Sequence, residues 1–112
     1  MENRKNLINE YKQRKIVGGV FQVTNNDNGM YLLDFATDIQ AKNNAFTFSA
    51  SSGSCFDYKL RQDWQECGAG SFAFEILDRL EKKKEQSQDQ FIDDLKMLEA
   101  LWLAKLDPSK RY

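Results

Sequence analysis

The residues of this chain that could carry out chemistry are limited, because histidine is absent. The 112 residues include no histidine and two cysteines, Cys55 and Cys67. Without histidine, a Cys/His zinc site, a Ser-His-Asp triad and a histidine general base are excluded, and two cysteines alone cannot close a structural zinc site. We expect both cysteines to be free thiols, because disulfides are unusual in cytosolic proteins.

Length and composition predict one soluble, cytoplasmic domain. The chain length fits a single domain, and a hydrophobic share of 41% is sufficient for one core. No apolar run approaches the roughly 18 residues that a membrane span needs, and residues 1–6 are too polar for a signal peptide. The net charge of −1 argues weakly against tight nucleic-acid binding, which normally requires a basic surface. The basic residues within 12–15 and 82–84 are interpreted as solvated surface.

The first half of the chain predicts a helix followed by a β-hairpin. Apolar residues at helical spacing predict a helix over residues 3–15, which Gly18-Gly19 would end. Residues 20–24 and 30–35 are predicted as the two strands of the hairpin. The turn between them contains Asn28-Gly29, a dipeptide that suits the positive φ angles of hairpin loops.

The second half predicts two further helices, one strand and a long amphipathic helix. Helices are predicted over residues 38–48, with Thr37 as N-cap, and over residues 56–66. Residues 71–77 alternate as a strand does, and residues 88–106 form the last helix. The buried stripe of this helix is predicted to comprise Phe91, Leu95, Leu98, Trp102 and Leu106.

This order of elements predicts a small sheet with helices packed on it, because each element must bury its apolar face against another. Residues 50–54 are predicted as a flexible loop, and the charged residues 79–89 as a mobile connection. The chain is divided into an N-terminal helix at residues 1–16, one domain at residues 17–108 and a tail at residues 109–112.

Six short stretches of the domain carry a further signal. They are residues 19–25, 28–29, 59–64, 68, 72–77 and 99–103. In this order and spacing, they resemble the GIY-YIG nuclease family, above all the catalytic domains of phage homing endonucleases and short bacterial members. Each stretch alone is weakly specific. The resemblance implies an α+β fold with a three-stranded antiparallel sheet flanked by helices.

The resemblance also implies a mechanism. In active members of the family, a glutamate on the last long helix holds one divalent cation, two tyrosines position and deprotonate the attacking water, and an arginine stabilises the phosphate. Phosphodiester hydrolysis requires these contributions, because developing charge must be neutralised and a nucleophile activated. An active form of this chain would therefore use a single Mg²⁺ or Mn²⁺, and an inert form would need no cofactor.

Both tyrosine positions of the family are changed in this chain. Phe21 occupies the GIY tyrosine position and has no hydroxyl to bond water or relay a proton. Leu32 occupies the YIG tyrosine position in the gap-free register and has no polar side-chain atom. Tyr31 lies one residue away, so it is expected to point to the opposite face of its strand. Asp34 replaces the family's glycine, and its carboxylate is expected to repel a DNA phosphate.

The two charged positions of the family are partly retained. Lys42 replaces the arginine, which keeps the charge but loses bidentate phosphate geometry. One turn further on, where some relatives carry a basic residue or histidine, stand Ala45 and Phe46. Glu99 occupies the metal-ligand position, and weak Mg²⁺ or Mn²⁺ binding and a purely structural carboxylate are both open for it. Asp34 is a less favoured second oxygen ligand, since Mg²⁺ usually needs more than one carboxylate or a substrate phosphate.

Two functions follow from these substitutions. The favoured hypothesis is a catalytically inert GIY-YIG-like domain that acts as a binding or regulatory module, with an unknown protein partner or weak DNA binding and no membrane association. The alternative is a divergent metal-dependent DNA endonuclease that uses Glu99, Lys42 and either Tyr31 or Tyr58. Losing proton-transfer groups should cost such an enzyme about 10²–10⁴ in rate for each group. The sequence does not specify the oligomeric state.

The altered site is also rich in apolar side chains, namely Phe21, Leu32, Phe35 and Phe46. We expect them to enlarge the core. If they were exposed instead, they would form a hydrophobic patch suited to a protein partner or a small ligand.

Overall fold

The computed structural model describes residues 15–112 and has an α+β fold with one three-stranded antiparallel sheet. The main elements are β1 (Val17–Asn25), β2 (Tyr31–Ala36), α1 (Ile39–Ser52), α2 (Arg61–Cys67), β3 (Phe72–Glu81) and α3 (Gln88–Leu103). The strand order is β2-β1-β3, so β1 is central. The predicted fold class is therefore confirmed. The helix predicted over residues 3–15 lies outside the described residues, apart from Lys15, which precedes β1.

Both faces of the sheet are covered, because side chains that alternate along β1 enter two separate hydrophobic clusters. Phe21 and Val23 belong to one cluster, here called the aromatic core, and Val20 belongs to the other. The buried members of the aromatic core are Phe21, Val23, Leu32, Ile39, Phe46, Leu60, Trp64 and Phe72. Helices α1 and α2 cover this face, while α3 covers the opposite face with Leu98, Trp102 and Leu103.

Gly18 and Gly19 were predicted to end a helix, but they lie inside β1. A Cβ atom on Gly18 would lie 2.6 Å from the carbonyl oxygen of Ala36 and 2.9 Å from the Phe91 ring. A Cβ atom on Gly19 would collide with the carbonyl oxygen of Asp78 on β3. Glycine is needed here for close packing between backbone and helix rather than for helix termination.

Helix α1 begins and ends later than predicted. Asp38, not Thr37, is the N-cap, and its side chain accepts a hydrogen bond from the backbone N–H of Ala41 at 3.0 Å. The helix continues through residues 50–52, which were predicted to be loop, and ends at Gly53 in the left-handed conformation with φ of 79°. Asp38 therefore stabilises the start of the helix as its cap, and Gly53 ends the helix.

Three further elements differ from the predicted bounds, each in its own way. The helix predicted over residues 56–66 is divided into a 3-10 turn at Tyr58–Leu60 and α2. Strand β3 extends to Glu81, so part of the predicted mobile connection is strand. Helix α3 begins at a capping box formed by Ser87 and Gln90 and ends before Leu106.

The predicted stripe of α3 is confirmed, with Phe91 and Leu95 fully buried and Leu98, Trp102 and Leu106 partly buried. No helix within residues 15–112 combines the length and apolarity needed to cross a membrane.

Candidate functional site

Phe21 and Leu32, the two residues that the GIY-YIG resemblance places at tyrosine positions, lie inside the aromatic core. Phe21 and Leu32 are each 1% exposed. The Phe21 ring stacks on Phe74 with a centroid distance of 5.1 Å and meets Phe56 edge-on at 6.1 Å. Stacked and edge-on pairs of this kind add stability beyond area burial. These positions therefore contribute packing, and neither presents a polar group.

Lys42 lies above these rings. Its Nζ is 5.8 Å from the centroid of Phe21 and 5.4 Å from the centroid of Phe56. A cation over an aromatic face is attracted to the ring's negative charge distribution. The structure thus brings together Lys42 and Phe21, two of the positions that the family resemblance selects. Phe46, one turn further along α1, is 9% exposed and points into the same core.

Asp34 lies beside this site on the edge strand β2. It is paired with Phe21 in the β1–β2 register, and residues directly opposite each other in antiparallel strands share a face. Its Oδ1 accepts a hydrogen bond from the backbone N–H of Phe35 at 2.8 Å. On β3, Asp78 accepts from the N–H of Arg79 at 2.9 Å in the same way. Asp34 and Asp78 therefore each occupy one backbone donor of an edge strand.

Glu99 is partly buried on α3, and its pKa is raised above the ordinary glutamate value. Burial is the largest cause, because it disfavours the charged carboxylate, and repulsion by Asp34 is the second. Arg111, Lys59 and Lys96 oppose this rise. Glu99 and Asp34 therefore lie close enough for their charges to interact.

Metal binding at this pair would rest on few ligands. Within the part of the chain that the structure describes, no three His, Cys, Asp or Glu side chains are grouped to hold an ion. Mg²⁺ is commonly bound by one or two carboxylates together with substrate phosphates. Glu99, with Asp34 nearby, meets only the minimum for such a site.

The two tyrosines considered for catalysis lie apart from Phe21 and Leu32. Tyr31 is 4% exposed and belongs to the cluster under α3, so it faces away from Leu32 as predicted. Its hydroxyl donates to the backbone carbonyl of Asp107 at 3.0 Å. Tyr58 is 81% exposed on the 3-10 turn before α2.

A second polar arrangement, which the sequence did not indicate, lies at the hairpin end of the sheet. Asn25 is fully buried at the end of β1. Its Nδ2 donates to the hydroxyl of Tyr112 at 3.0 Å, and that hydroxyl donates to Asp63 Oδ2 at 2.6 Å. Asn28 Nδ2 also donates to Asp63 Oδ2, at 3.0 Å. We call the Asn25 and Asp63 side chains, with the adjoining aromatic core, the tyrosine site.

Asp63 and Tyr112 shift each other's pKa values through their hydrogen bond. The pKa of Asp63 is lowered, mainly by the hydrogen bond from Tyr112 and then by that from Asn28. Burial, followed by the bond to Asp63, raises the pKa of Tyr112 to about 12. The shifts agree, because both favour a neutral phenol that donates to an ionised carboxylate.

Sequence spacing could not have revealed this site. The sequence pattern places Asn25 in the hairpin turn and residues 109–112 in a tail. The bonds from Asn25 to Asp63 and to Tyr112 span 38 and 87 residues, and that between Tyr112 and Asp63 spans 49. Periodicity reports on neighbours along one element and carries no signal over such separations.

No family model matches this chain, and neither curated proteins nor solved structures yield a match. The similarity to the GIY-YIG family therefore stays a prediction, which rests on the six sequence stretches.

Proposed function

We propose that this chain is a degenerate GIY-YIG nuclease-like domain that is catalytically inert and acts in the cytoplasm as a binding or regulatory module. One observation carries the proposal. Phe21 and Leu32, at the positions of the family's two tyrosines, are each 1% exposed in the aromatic core, where they cannot position a water molecule.

The charged residues around the site support the same conclusion. The Lys42 ammonium lies over two aromatic rings, whereas a nuclease needs a cation directed at the phosphate. The carboxylate of Asp34 bonds its neighbouring backbone N–H and places negative charge beside Glu99. A second negative group at the site disfavours the approach of DNA, which is itself anionic.

An unidentified protein is the partner that this surface suits best. Tyr58 is 81% exposed, two residues from Phe56, whose ring lies under Lys42. Tyrosine is enriched at protein interfaces, because it combines a large apolar ring with a polar end. The other partner that a binding module could have is DNA, bound weakly through Lys42.

The alternative function is a divergent endonuclease that hydrolyses phosphodiester bonds with one Mg²⁺ or Mn²⁺. It is favoured by the repulsion between Asp34 and Glu99, which is the second cause, after burial, of the raised pKa of Glu99. Repulsion between two carboxylates raises a pKa, and a divalent cation bound between them would relieve that repulsion. Glu99 would then hold the cation, and Lys42 would have to supply positive charge to the phosphate from the opposite face of the sheet, over the aromatic core.

A plasmid-nicking assay with Mg²⁺ and Mn²⁺ distinguishes the two functions. The wild-type chain is compared with Glu99→Ala and with Asp93→Ala, which removes an exposed carboxylate from the same helix. The inert module predicts no cleavage by any of the three at high protein concentration. Cleavage that Glu99→Ala abolishes and Asp93→Ala retains would overturn the inert-module proposal and establish the endonuclease.

A further inference from the structure

Residues 107–112, here called the strap, cross the edge of the sheet at Tyr31. At one end, the Tyr31 hydroxyl donates to the backbone carbonyl of Asp107 at 3.0 Å. At the other end, the N–H of Tyr112 donates to the carbonyl of Tyr31 at 2.8 Å, and Arg111 forms a parallel β-bridge with Tyr31. Between these ends, Pro108–Lys110 forms a 3-10 turn, so the strap pairs with the edge of β2 only through Arg111 and the backbone N–H of Tyr112.

The strap ends in a side-chain site that fits a phenol. The hydroxyl of Tyr112 donates to Asp63 and accepts from Asn25, which matches the one donor and the acceptor lone pairs of a tyrosine. The ring packs against the aromatic core. A phenylalanine would satisfy the ring contacts but would make neither hydrogen bond.

The tyrosine site is held in place by groups that do not belong to the strap. Asn25 Oδ1 accepts from the backbone N–H of Asp27 at 3.0 Å, which orients the amide. Asn28 holds the Asp63 carboxylate from the other side. Because the hairpin turn fixes both polar groups, the site has its recognition geometry before a tyrosine enters, and prior ordering lowers the cost of binding.

The interior of the strap is hydrogen-bonded mainly to itself, because Asp107 caps the 3-10 turn Pro108–Lys110 by accepting from the backbone N–H of Ser109 at 3.0 Å. Residues 108–111 are all exposed, and the contacts above anchor only its two ends. Pairing of an extended segment with a strand edge, plus a pocket for one side chain, is a general mode of peptide recognition. The strap is thus arranged as a bound peptide that is joined to its own receptor.

We propose that the tyrosine site and the adjoining β2 edge form a peptide-recognition surface, which the strap occupies within one chain and which accepts the same strap from a second copy of this chain. The seated strap identifies the occupant, since any copy that offers a strap also offers a tyrosine site. Reciprocal exchange makes the same contacts twice and closes a twofold dimer. The closed monomer prevails at low concentration, because its own strap has a high effective concentration. This proposal does not depend on the nuclease-like function.

Complementary variants of the full chain test the exchange. Tyr112→Ala breaks the strap and keeps the tyrosine site, while Asp63→Ala breaks the site and keeps the strap. Analytical ultracentrifugation should find each variant monomeric alone and a one-to-one heterodimer on mixing. Wild-type dimers should increase with protein concentration. Monomers in the mixture of two folded variants would overturn the second-copy occupant.

A peptide arm decides the case if Asp63→Ala fails to fold. A synthetic peptide of residues 107–112 is titrated into the Tyr112→Ala chain, beside a peptide that carries phenylalanine in place of the tyrosine. The tyrosine peptide should bind at least about tenfold more tightly, since hydrogen bonds to charged groups are among the stronger ones. No binding at millimolar concentration, or equal binding of both peptides, would overturn the recognition surface itself.

Discussion

The aromatic core and the tyrosine site lie on the same central strand but depend on opposite kinds of interaction. Around Phe21, the buried side chains are aromatic rings and aliphatic groups, with a lysine over them. At Asn25, farther along β1, a buried amide, a carboxylate and a phenol bond one another directionally. Apolar contacts are strong in sum and tolerant of direction, whereas polar bonds stabilise only when every partner is present. We therefore expect the two regions to respond differently to substitution and to pH.

The largest expected effect is the removal of a ring from the aromatic core. Phe21→Ala should lower the free energy of unfolding by about 3–5 kcal/mol, because a fully buried aromatic leaves a cavity. Urea denaturation measures the loss. Phe48→Ala is the matched control, since Phe48 is 68% exposed and should change stability by less than about 0.5 kcal/mol. Equal losses from both would show that Phe21 is not a core residue.

The second prediction restores the missing hydroxyl. Phe21→Tyr should destabilise the chain by about 1–3 kcal/mol, because the added hydroxyl enters a buried apolar cluster. Phe74→Tyr, at a partly buried ring that stacks on Phe21, should cost less. If Phe21→Tyr left the free energy of unfolding unchanged, the added hydroxyl would have to reach water. That result would strengthen the case for a surviving nuclease geometry.

The sequence predicted many of the elements that form the apolar contacts, but it did not predict the hydrogen bonds of the tyrosine site. The alternation in residues 71–77 and the stripe of α3 gave the correct elements, because periodicity reflects which face is buried. Gly18-Gly19 was misinterpreted, since a tight approach to Ala36 and Phe91 leaves no local pattern. Asn25 and Tyr112 were missed because their partnership arises only after the sheet forms.

The third prediction removes one hydroxyl from the tyrosine site. Tyr112→Phe should destabilise the chain by about 1.5 kcal/mol, since it deletes a hydrogen bond to a carboxylate and keeps the ring. Thermal or urea unfolding at pH 7 measures the change. Tyr58→Phe is the control, because that side chain is 81% exposed. A loss as large for Tyr58→Phe would contradict a specific role for the Tyr112 hydroxyl.

The same pair of groups predicts a dependence on alkaline pH. Folding raises the pKa of Tyr112 from 10.0 to about 12, so the stability that it contributes is fully present below pH 10 and is lost as pH rises towards about 12. The difference in unfolding free energy between wild type and Tyr112→Phe should therefore shrink over this interval. A difference that stays constant from pH 9 to pH 12 would show that the phenol does not titrate with folding.

At acid pH, the stability that the tyrosine site contributes should fall as pH decreases, which is the opposite direction to its loss at alkaline pH. The pKa of Asp63 is lowered by folding, so its contribution is present above its unfolded pKa and is lost as pH falls through the folded value. Asp63→Asn should consequently flatten the acid limb of the stability profile. An unchanged acid limb in a folded Asp63→Asn chain would argue against this carboxylate as its source.

The smallest expected effect concerns Glu99, whose negative charge is disfavoured by burial and by the nearby charge of Asp34. Burial and repulsion by Asp34 raise its pKa, so its contribution to stability is present at acid pH and is lost as pH rises through the folded pKa. Glu99→Gln should therefore stabilise the chain slightly at pH 7, by no more than about 0.5 kcal/mol, whereas Asp93→Asn on the exposed face of α3 should be neutral.

The sign of the Glu99→Gln effect in Mg²⁺ sharpens the comparison of the two regions. If Glu99 is a structural carboxylate, 10 mM Mg²⁺ should leave the difference between wild type and variant unchanged. A cation held by Glu99 would stabilise the wild-type chain selectively, because a ligand that binds only the folded state raises its stability. Selective stabilisation would reverse the order of wild type and Glu99→Gln, and would show that this carboxylate binds a cation, whereas the carboxylate of Asp63 is held by hydrogen bonds within the chain.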